Sequence, residues 1–260
     1  MDICFDPSLS ADECIDKVND NLKLIQNNRF FKFGTDSLML SAFVDRKKRK
    51  NIAELGCGSG IISLLLASRD RAEKIHAIEV QSYFASLTDR NIRLNGLSDK
   101  VYVYEKNVVD VKGDIFGHEV DAVVSNPPYM KMTSGKHNVT EEKLAARHEL
   151  YGTIDQFITC AARIIKHGGD LFIVYRQDRL TDLLVSMRNN RFEPKLITFV
   201  HPDPLSPPSF ILIKAKYGAA DGGLKVSEPF YIYNSPIKDG AERQYSDKMV
   251  SVLENGYMVP

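Results

Sequence analysis

Short apolar runs alternate with amphipathic stretches along most of this chain, and glycine or proline stands at many of the boundaries between them. The apolar runs have the length of buried strands, and the stretches between them have the spacing of helices. Strands that alternate with helices are typical of a doubly wound α/β fold with a largely parallel sheet. Strands are predicted over 51–55, 74–79, 101–105, 120–124, 170–175, 195–200 and 210–216. Helices are predicted over 37–43, 61–68, 81–94, 154–166 and 179–189.

Two further patterns predict antiparallel pairing at the margins of the sheet. The alternating segments 22–26 and 30–33, joined by Asn27-Asn28-Arg29, predict an N-terminal β-hairpin. The proline-rich segment 201–208 separates the last two strands and favours an antiparallel pair at a sheet edge. Thr35 or Asp36 is the expected N-cap of the first helix. We expect three parts: an extension with a hairpin and a helix over 1–50, the α/β domain over 51–217, and a tail over 218–260 packed on that domain.

Composition restricts the class and the location of the protein. Its 260 residues include 34 lysines and arginines against 34 aspartates and glutamates, and 43% are hydrophobic, as in an ordinary globular protein. No apolar run approaches the roughly 20 residues of a membrane helix, and the polar N-terminus lacks a signal-peptide core. Four cysteines without C-x-x-C spacing indicate neither a zinc site nor a disulfide framework. We therefore expect a cytoplasmic protein with no metal and no membrane partner.

One basic tract contrasts with the net charge of zero. Five cations follow one another at 46–50, just before the first strand of the sheet. Such a tract suits contact with the phosphates of a nucleic acid, but a solvated loop explains it equally well. Six further cations would extend a basic surface if they shared a face: Arg29, Lys32, Arg176, Arg179, Arg188 and Arg191.

A glycine-rich turn, Glu54-Leu55-Gly56-Cys57-Gly58-Ser59-Gly60, follows the first strand of the sheet. Strand, tight turn and helix in this order let the backbone approach a ligand closely, and the helix start offers free N–H groups. Glu79 ends the next strand about 20 residues later, where a carboxylate can bind the two hydroxyls of a ribose; the alternative is a solvated carboxylate or a helix cap. The glycines depart from G-x-G-x-x-G, and Glu54 suits a cationic amine better than a pyrophosphate. The turn therefore favours S-adenosylmethionine over a dinucleotide.

The sequence Asn126-Pro127-Pro128-Tyr129 directly follows the apolar run 120–124. An amine on a heteroaromatic ring, or a carboxamide nitrogen, is a poor nucleophile because its lone pair is delocalised. The Asn126 side-chain oxygen and the Pro127 carbonyl would accept its two N–H groups and turn the lone pair toward a methyl donor, while the prolines stiffen the turn. Tyr129 would offer a face for a flat substrate group. A rigid turn is the simpler interpretation, but the glycine loop upstream favours methyl transfer to a planar nitrogen.

Several motifs occur here in a characteristic order. They are Phe33-Gly34-Thr35-Asp36-Ser37, the glycine loop, Asn126-Pro127-Pro128-Tyr129, Arg147-His148-Glu149 and His201-Pro202. Over most of the chain they resemble the bacterial tRNA1(Val) adenine-N6-methyltransferases. The resemblance implies a class I methyltransferase fold with a mostly parallel seven-stranded sheet, S-adenosylmethionine as the methyl donor, and a tRNA partner methylated on the adenine 3′ to the anticodon.

The resemblance also implies a set of residues around the methyl donor. Asn107 would contact the adenine edge, although such enzymes often have Asp there, and Asp110 is the substitute candidate. Arg147-His148-Glu149 is expected to be structural. The remaining donor-binding residues would be Phe33, Gly34, Thr35 and Asp36 beside the donor, Glu54, Gly56, Gly58 and Gly60 at its methionine part, and Glu79 at its ribose.

The Asn-Pro-Pro-Tyr motif alone leaves the substrate open. It is shared with enzymes that methylate DNA adenine, guanine in ribosomal RNA and the glutamine of release factors. Only 53 residues precede Glu54, which leaves little room for the longer helical domain of release-factor methyltransferases. A glutamine-N5 methyltransferase, a methyltransferase of another RNA or DNA base, and an RNA-binding module without catalysis stay as alternatives. The polar segment 131–139 is predicted to be a loop that closes over the substrate, and the oligomeric state is not fixed.

Overall fold

A nine-stranded mixed sheet forms the centre of the molecule in a computed structural model, which describes residues 9–30, 32–128, 152–236 and 243–258. The strands are β1 (Glu13–Asn19), β2 (Leu22–Asn27), β3 (Arg49–Leu55), β4 (Ala72–Glu79), β5 (Val101–Glu105), β6 (Val120–Ser125), β7 (Ile165–Tyr175), β8 (Phe192–His201), β9 (Phe210–Tyr217), β10 (Lys225–Val226) and β11 (Phe230–Tyr231). The helices are α1 (Thr35–Phe43), α2 (Ile61–Ser68), α3 (Ser82–Leu94), α4 (Ile154–Ile164), α5 (Leu180–Asn189) and α6 (Asp247–Asn255).

The strand order confirms the predicted doubly wound sheet. It runs β10-β8-β9-β7-β6-β3-β4-β5, with β11 also paired to β8. The strands from β7 to β5 are parallel, and β9 is antiparallel to both β7 and β8. The seven long strands are those predicted, and β10 and β11 are two-residue additions. The antiparallel pair β8–β9 also forms as expected, but its reversed strand β9 lies between two neighbours instead of at the edge.

Helices cover both faces of the sheet, which explains why its strands are continuously apolar. One apolar cluster joins α1, α2 and the hairpin to one face, with Met39, Leu64 and Leu24 among its buried side chains. A second cluster joins α4 and α5 to the other face, and it includes Phe157 and Leu183. Strands buried on both sides need apolar residues at successive positions, as parallel α/β sheets generally do.

The N-terminal hairpin lies one strand earlier than the sequence predicted. Its strands are β1 and β2, so that 22–26 is its second strand and not its first. Glu13–Asn19 is polar and half-exposed, and it therefore lacks the alternating apolar signal of a strand. The outer edge of β2 is bound by α3, where the Asn91 side chain accepts the Ile25 N–H at 2.6 Å and donates to the Ile25 carbonyl at 3.1 Å.

The helices differ from the predictions most clearly at the cap of α1, at the end of the fourth helix and in one additional helix. The N-cap of α1 is Gly34, not Thr35 or Asp36, and no side chain caps it. The fourth helix ends at Ile164, because β7 begins at the next residue and includes Gly168 and Gly169. The helix α6 was not predicted from its polar sequence.

Ser246 caps the start of α6 by accepting the Met249 N–H at 3.1 Å. Met249 and Val252 join the same apolar cluster as α1, and the Met258 N–H donates to the Ala42 carbonyl at 3.0 Å. The C-terminal segment therefore has its own buried face.

Some predictions fall outside the described residues, namely those for Tyr129, the segment 131–139 and Arg147-His148-Glu149. The division into three parts at residues 50 and 217 stays a prediction. In the part of the chain that the structure covers, none of the helices combines the length and the apolar character needed to cross a bilayer.

Candidate active site

A cleft with a cavity volume of about 200 Å³ opens at the carboxyl ends of β3, β4, β5 and β6. The chain order reverses there, because β3 has β4 on one side and β6 on the other. Open α/β sheets bind ligands at such a switch point. Residues that end or follow these strands line the cleft: Gly56, Gly58, Ile78, Glu79, Val80, Gln81, Lys106, Val108, Asn126 and Pro128.

The glycine loop needs glycine for its backbone conformation. Gly56, Gly58 and Gly60 all have positive φ, at 74°, 54° and 82°. A Cβ at Gly60 would lie 2.7 Å from the Thr88 side chain, whereas a Cβ at Gly58 would meet nothing within 4 Å. Since Gly58 also lines the cleft, its bare backbone is open to a ligand. Cys57 is buried beside Thr88, in agreement with a filler role.

Glu54 lies at the end of β3, beneath the glycine loop, and only 1% of its surface is exposed. Its Oε2 atom accepts the Ser63 N–H at 2.8 Å and a short hydrogen bond from the Ser63 hydroxyl. Its Oε1 atom has no hydrogen-bond partner among the residues that the structure describes. Burial raises the pKa of this carboxyl to about 8, and the nearby Glu79 carboxylate adds to the shift.

Glu79 ends β4 and lines the cleft directly. Its two oxygens accept the Gly58 and Gln81 N–H groups, each at 2.9 Å, so it connects the glycine loop to the start of α3. Burial raises the pKa of Glu79 as well. Each oxygen of the Glu79 carboxylate retains a further lone pair, which can accept a hydrogen bond from a hydroxyl group of a ligand in the cleft.

Asn126 follows β6 and faces the N-terminal turn of α1. Its side-chain amide nitrogen donates to the Asp36 Oδ2 atom at 3.1 Å and to the Ser37 Oγ atom at 3.0 Å. The amide oxygen is therefore on the opposite side of the group from Asp36 and Ser37. Pro127 is buried and Pro128 lines the cleft, so the turn is fixed on both sides.

The segment after β5 contributes two residues to the cleft, and the assignment of Asn107 or Asp110 to the adenine edge of the donor stays a prediction. The Asn107 side chain caps a short 3₁₀ helix by accepting the Val109 N–H at 3.2 Å. Its neighbours Lys106 and Val108 are the residues that line the cleft. Asp110 is exposed at the end of the same 3₁₀ helix.

The donor-binding residues predicted around the start of α1 differ in how far they are buried. The Phe33 N–H donates to the Gln26 side chain at 3.0 Å, and its ring packs against the apolar cluster. Gly34 and Thr35 are exposed, whereas Ser37 is buried. The structure therefore brings Asp36 and Ser37 to Asn126. Sequence reasoning assigned no role to Ser37, which appeared only as the end of the Phe33-Gly34-Thr35-Asp36-Ser37 motif.

The basic tract is exposed at Arg46, Lys47, Lys48 and Lys50 but not at Arg49. The tract lies at the amino end of β3, whereas the cleft lies at the carboxyl ends of the strands. Arg49 is buried and pairs with Asp45 at 3.0 Å and with Asp170 at 2.8 Å. Most of the other cations have partners on the surface: Arg29 with Asp12, Lys32 with Asp16, Arg176 with Asp178, Arg179 with Asp182, and Arg188 with Glu193 and Asp221. Arg191 instead covers the Tyr217 ring.

Comparison with known proteins agrees with this geometry. The family model of the methyltransferase small domain matches residues 31–188. A tRNA1(Val) (adenine(37)-N6)-methyltransferase of Porphyromonas gingivalis is 27% identical over 232 residues, which cover 87% of this chain and 88% of that protein. The protein of the same name in Phocaeicola vulgatus is 26% identical over 186 residues, or 72% of this chain and 77% of the relative.

Solved structures share the fold. A predicted O-methyltransferase from Agrobacterium tumefaciens superposes with a TM-score of 0.66 at 23% identity, covering 86% of this chain and 98% of the other. The tRNA m1G37 methyltransferase of M. jannaschii superposes with a TM-score of 0.56 at 18% identity, covering 80% of this chain and 58% of the other. Both comparisons show that the chain has the methyltransferase fold.

Proposed function

This chain belongs to the methyltransferase small-domain family, and on that premise we propose that it methylates the N6 amine of an adenine in tRNA. The proposed position is the adenine 3′ to the anticodon of a valine tRNA. The names of the curated relatives support this substrate, since they align with this chain over most of its length. A tRNA substrate also implies that the protein acts in the cytoplasm and contacts an anticodon loop.

The donor site is proposed at the glycine loop and at Glu79. When bound, S-adenosylmethionine supplies an electrophilic methyl group on its sulfonium. The cleft suits such a group because Glu54 keeps a buried oxygen without a hydrogen-bond partner among the described residues, and Gly58 leaves open space. Glu54 would neutralise the donor's positive charge through the loop, and Glu79 would accept from its ribose hydroxyls.

The observation that carries the proposal is the orientation of Asn126 at the cleft. Its amide nitrogen is turned toward α1, and its oxygen is the end of the group with the chemical character to accept an amine proton. A hydrogen-bond acceptor beside the adenine amine would turn an N–H group out of the plane of the ring. The nitrogen lone pair is then less delocalised into the ring and can attack the methyl group in line. The Pro127 carbonyl is the proposed second acceptor. As the nitrogen–methyl bond forms, the S–CH3 bond of the donor would break, the donor would leave as a neutral thioether, and the nitrogen would release one proton to solvent. No covalent enzyme intermediate is needed.

The nucleotide must leave its stack to reach the cleft. This costs less in an anticodon loop than in a duplex, because loop bases are already unpaired. The proposed stacking of the base on Tyr129 falls outside the described residues and stays a prediction.

The experiment that tests the substrate is mass spectrometry of tRNA from cells with and without the gene. We expect N6-methyladenosine beside the valine anticodon to disappear on deletion and to return when the gene is restored on a plasmid. An unchanged tRNA pool would contradict the proposal. A methyl group lost from a protein glutamine instead would establish the glutamine alternative.

A further inference from the structure

The N-terminal turn of α1 holds the amide of the proposed catalytic asparagine. Asp36 uses its two oxygens differently: Oδ1 accepts the Ser37 N–H at 2.7 Å, and Oδ2 accepts from the Asn126 amide nitrogen at 3.1 Å. Ser37 is 8% exposed, and its hydroxyl accepts from the same nitrogen at 3.0 Å. Two acceptors from consecutive residues thus meet one amide group.

The orientation of an asparagine amide matters because its two ends have opposite hydrogen-bonding character. The NH2 end only donates and the oxygen only accepts, and rotation by half a turn exchanges them. If the NH2 end faced the substrate, it would repel an amine that also donates. A charged acceptor and a hydroxyl on the α1 side favour one orientation, since hydrogen bonds to charged groups are stronger than neutral ones.

We propose that Asp36 and Ser37 are positioning residues, which select the orientation in which the Asn126 oxygen points to the substrate amine. This inference rests on the proposed function. It gives the N-terminal turn of α1 a different task from contact with the methyl donor, because the effect of Asp36 and Ser37 on the reaction passes through Asn126.

The first test is the Ser37→Ala variant, with Ser41→Ala as its control. Ser41 is a buried serine one turn further along α1, and its hydroxyl bonds the Leu38 carbonyl and Arg69 instead of Asn126. We expect Ser37→Ala to lower kcat roughly tenfold and to leave KM for tRNA and for S-adenosylmethionine within about twofold. A kcat reduced no more by Ser37→Ala than by Ser41→Ala would overturn the role of Ser37.

The second test exchanges the two polar groups. In Asn126→Asp, a second carboxylate faces Asp36 at hydrogen-bond distance, so the two charges repel and activity falls more than a hundredfold. Adding Asp36→Asn restores a hydrogen bond in the reverse direction, because the new amide at position 36 donates to one carboxylate oxygen at position 126. The other carboxylate oxygen at position 126 can then accept from the substrate amine. We expect the double variant to be at least tenfold more active than Asn126→Asp alone. No recovery would refute the positioning role of Asp36.

A structural measurement separates this inference from the proposed function. If the parent protein methylates no tRNA, the proposed substrate is wrong. A neutron crystal structure of Ser37→Ala, which distinguishes the amide nitrogen of Asn126 from its oxygen, still tests the positioning role. An Asn126 amide that is rotated or present in two orientations supports the inference, and an amide unchanged from the parent contradicts it.

Discussion

Buried carboxylates occur at both ends of the central sheet, but their partners differ. Toward the amino ends, Asp170 pairs with Arg49 at 2.8 Å and with Lys216 at 3.1 Å. At the carboxyl ends, Glu54 and Glu79 are equally buried, and in the part of the chain that the structure describes neither forms a salt bridge. Backbone N–H groups and a serine hydroxyl are their hydrogen-bond donors.

This difference distinguishes an acid that stabilises the fold, Asp170, from acids that are placed to interact with a ligand, Glu54 and Glu79. When a buried carboxylate pairs with a cation of the same protein, their attraction offsets the free-energy cost of removing the carboxylate from water, and no ligand is needed. A buried acid without such a cation raises its pKa and favours any cation that enters beside it. The same sheet therefore has a neutralised end and an end that is electrostatically suited to a cationic donor. Four variants test this contrast.

The largest effect on stability is expected at the neutralised end. Arg49→Met leaves Asp170 buried with only the more exposed Lys216 and Lys214 nearby. We expect the free energy of unfolding, measured by urea titration, to fall by about 3–5 kcal/mol. An unchanged urea midpoint would mean that the Arg49 pair does not stabilise the fold.

The largest effect on catalysis is expected at the cleft. Asn126→Ala removes the proposed acceptor, and we expect kcat to fall by on the order of a hundredfold or more, because a single preorganised polar contact in such a site contributes roughly 3–4 kcal/mol. Circular dichroism should show a melting temperature within a few degrees of the parent. Normal turnover would refute the assigned role of Asn126.

Glu54→Gln should change how stability depends on pH. The pKa of Glu54 is raised to about 8 from an ordinary 4.5, so between these pH values the unfolded chain has lost a proton that the folded protein keeps. Folding stability therefore falls as pH rises through this window, at up to about 1.4 kcal/mol per pH unit. Urea titrations at pH 5 and pH 8 should show a smaller loss in the variant. An equal loss of unfolding free energy in the parent and in the variant would contradict the raised pKa of Glu54.

The smallest effect is expected for a surface pair beside Arg49. Lys48 and Asp70 form an ion pair at 2.5 Å with both side chains about half exposed. Exposed pairs contribute little, because water screens them. Lys48→Ala should therefore shift the urea midpoint by less than the scatter between replicate titrations, and a shift comparable to that of Arg49→Met would show that exposure is the wrong criterion here.

The sequence predicted the sheet better than it predicted the hairpin and the end of the chain. Strands covered on both faces are continuously apolar, so β3 to β9 were visible as runs. In contrast, β1 is polar because it pairs only with β2, and α6 has too few apolar residues to suggest a buried face. Their positions depend on tertiary contacts, such as the bond from Met258 to Ala42.

The candidate site was predictable at the level of motifs but not of contacts. Gly58, Glu79 and Asn126 line one cleft because each follows a neighbouring parallel strand, which topology alone implies. The contact of Ser37 with Asn126 joins positions 89 residues apart, and no local pattern encodes it. Likewise, the burial of Arg49 within a run of five cations follows from its place in β3 and from Asp170 across the sheet.

Calorimetric titration with S-adenosylmethionine, repeated in buffers of different ionisation enthalpy, tests the central claim most directly. A cationic donor beside Glu54 stabilises the ionised carboxylate and lowers its pKa, so binding near pH 7 should release protons and affinity should rise with pH up to about 8. In Glu54→Gln, most of this proton release should disappear. Absence of binding, or a binding heat that is the same in every buffer, would contradict the claim that the carboxyl end of the sheet holds a buried carboxyl that ionises beside a cationic donor.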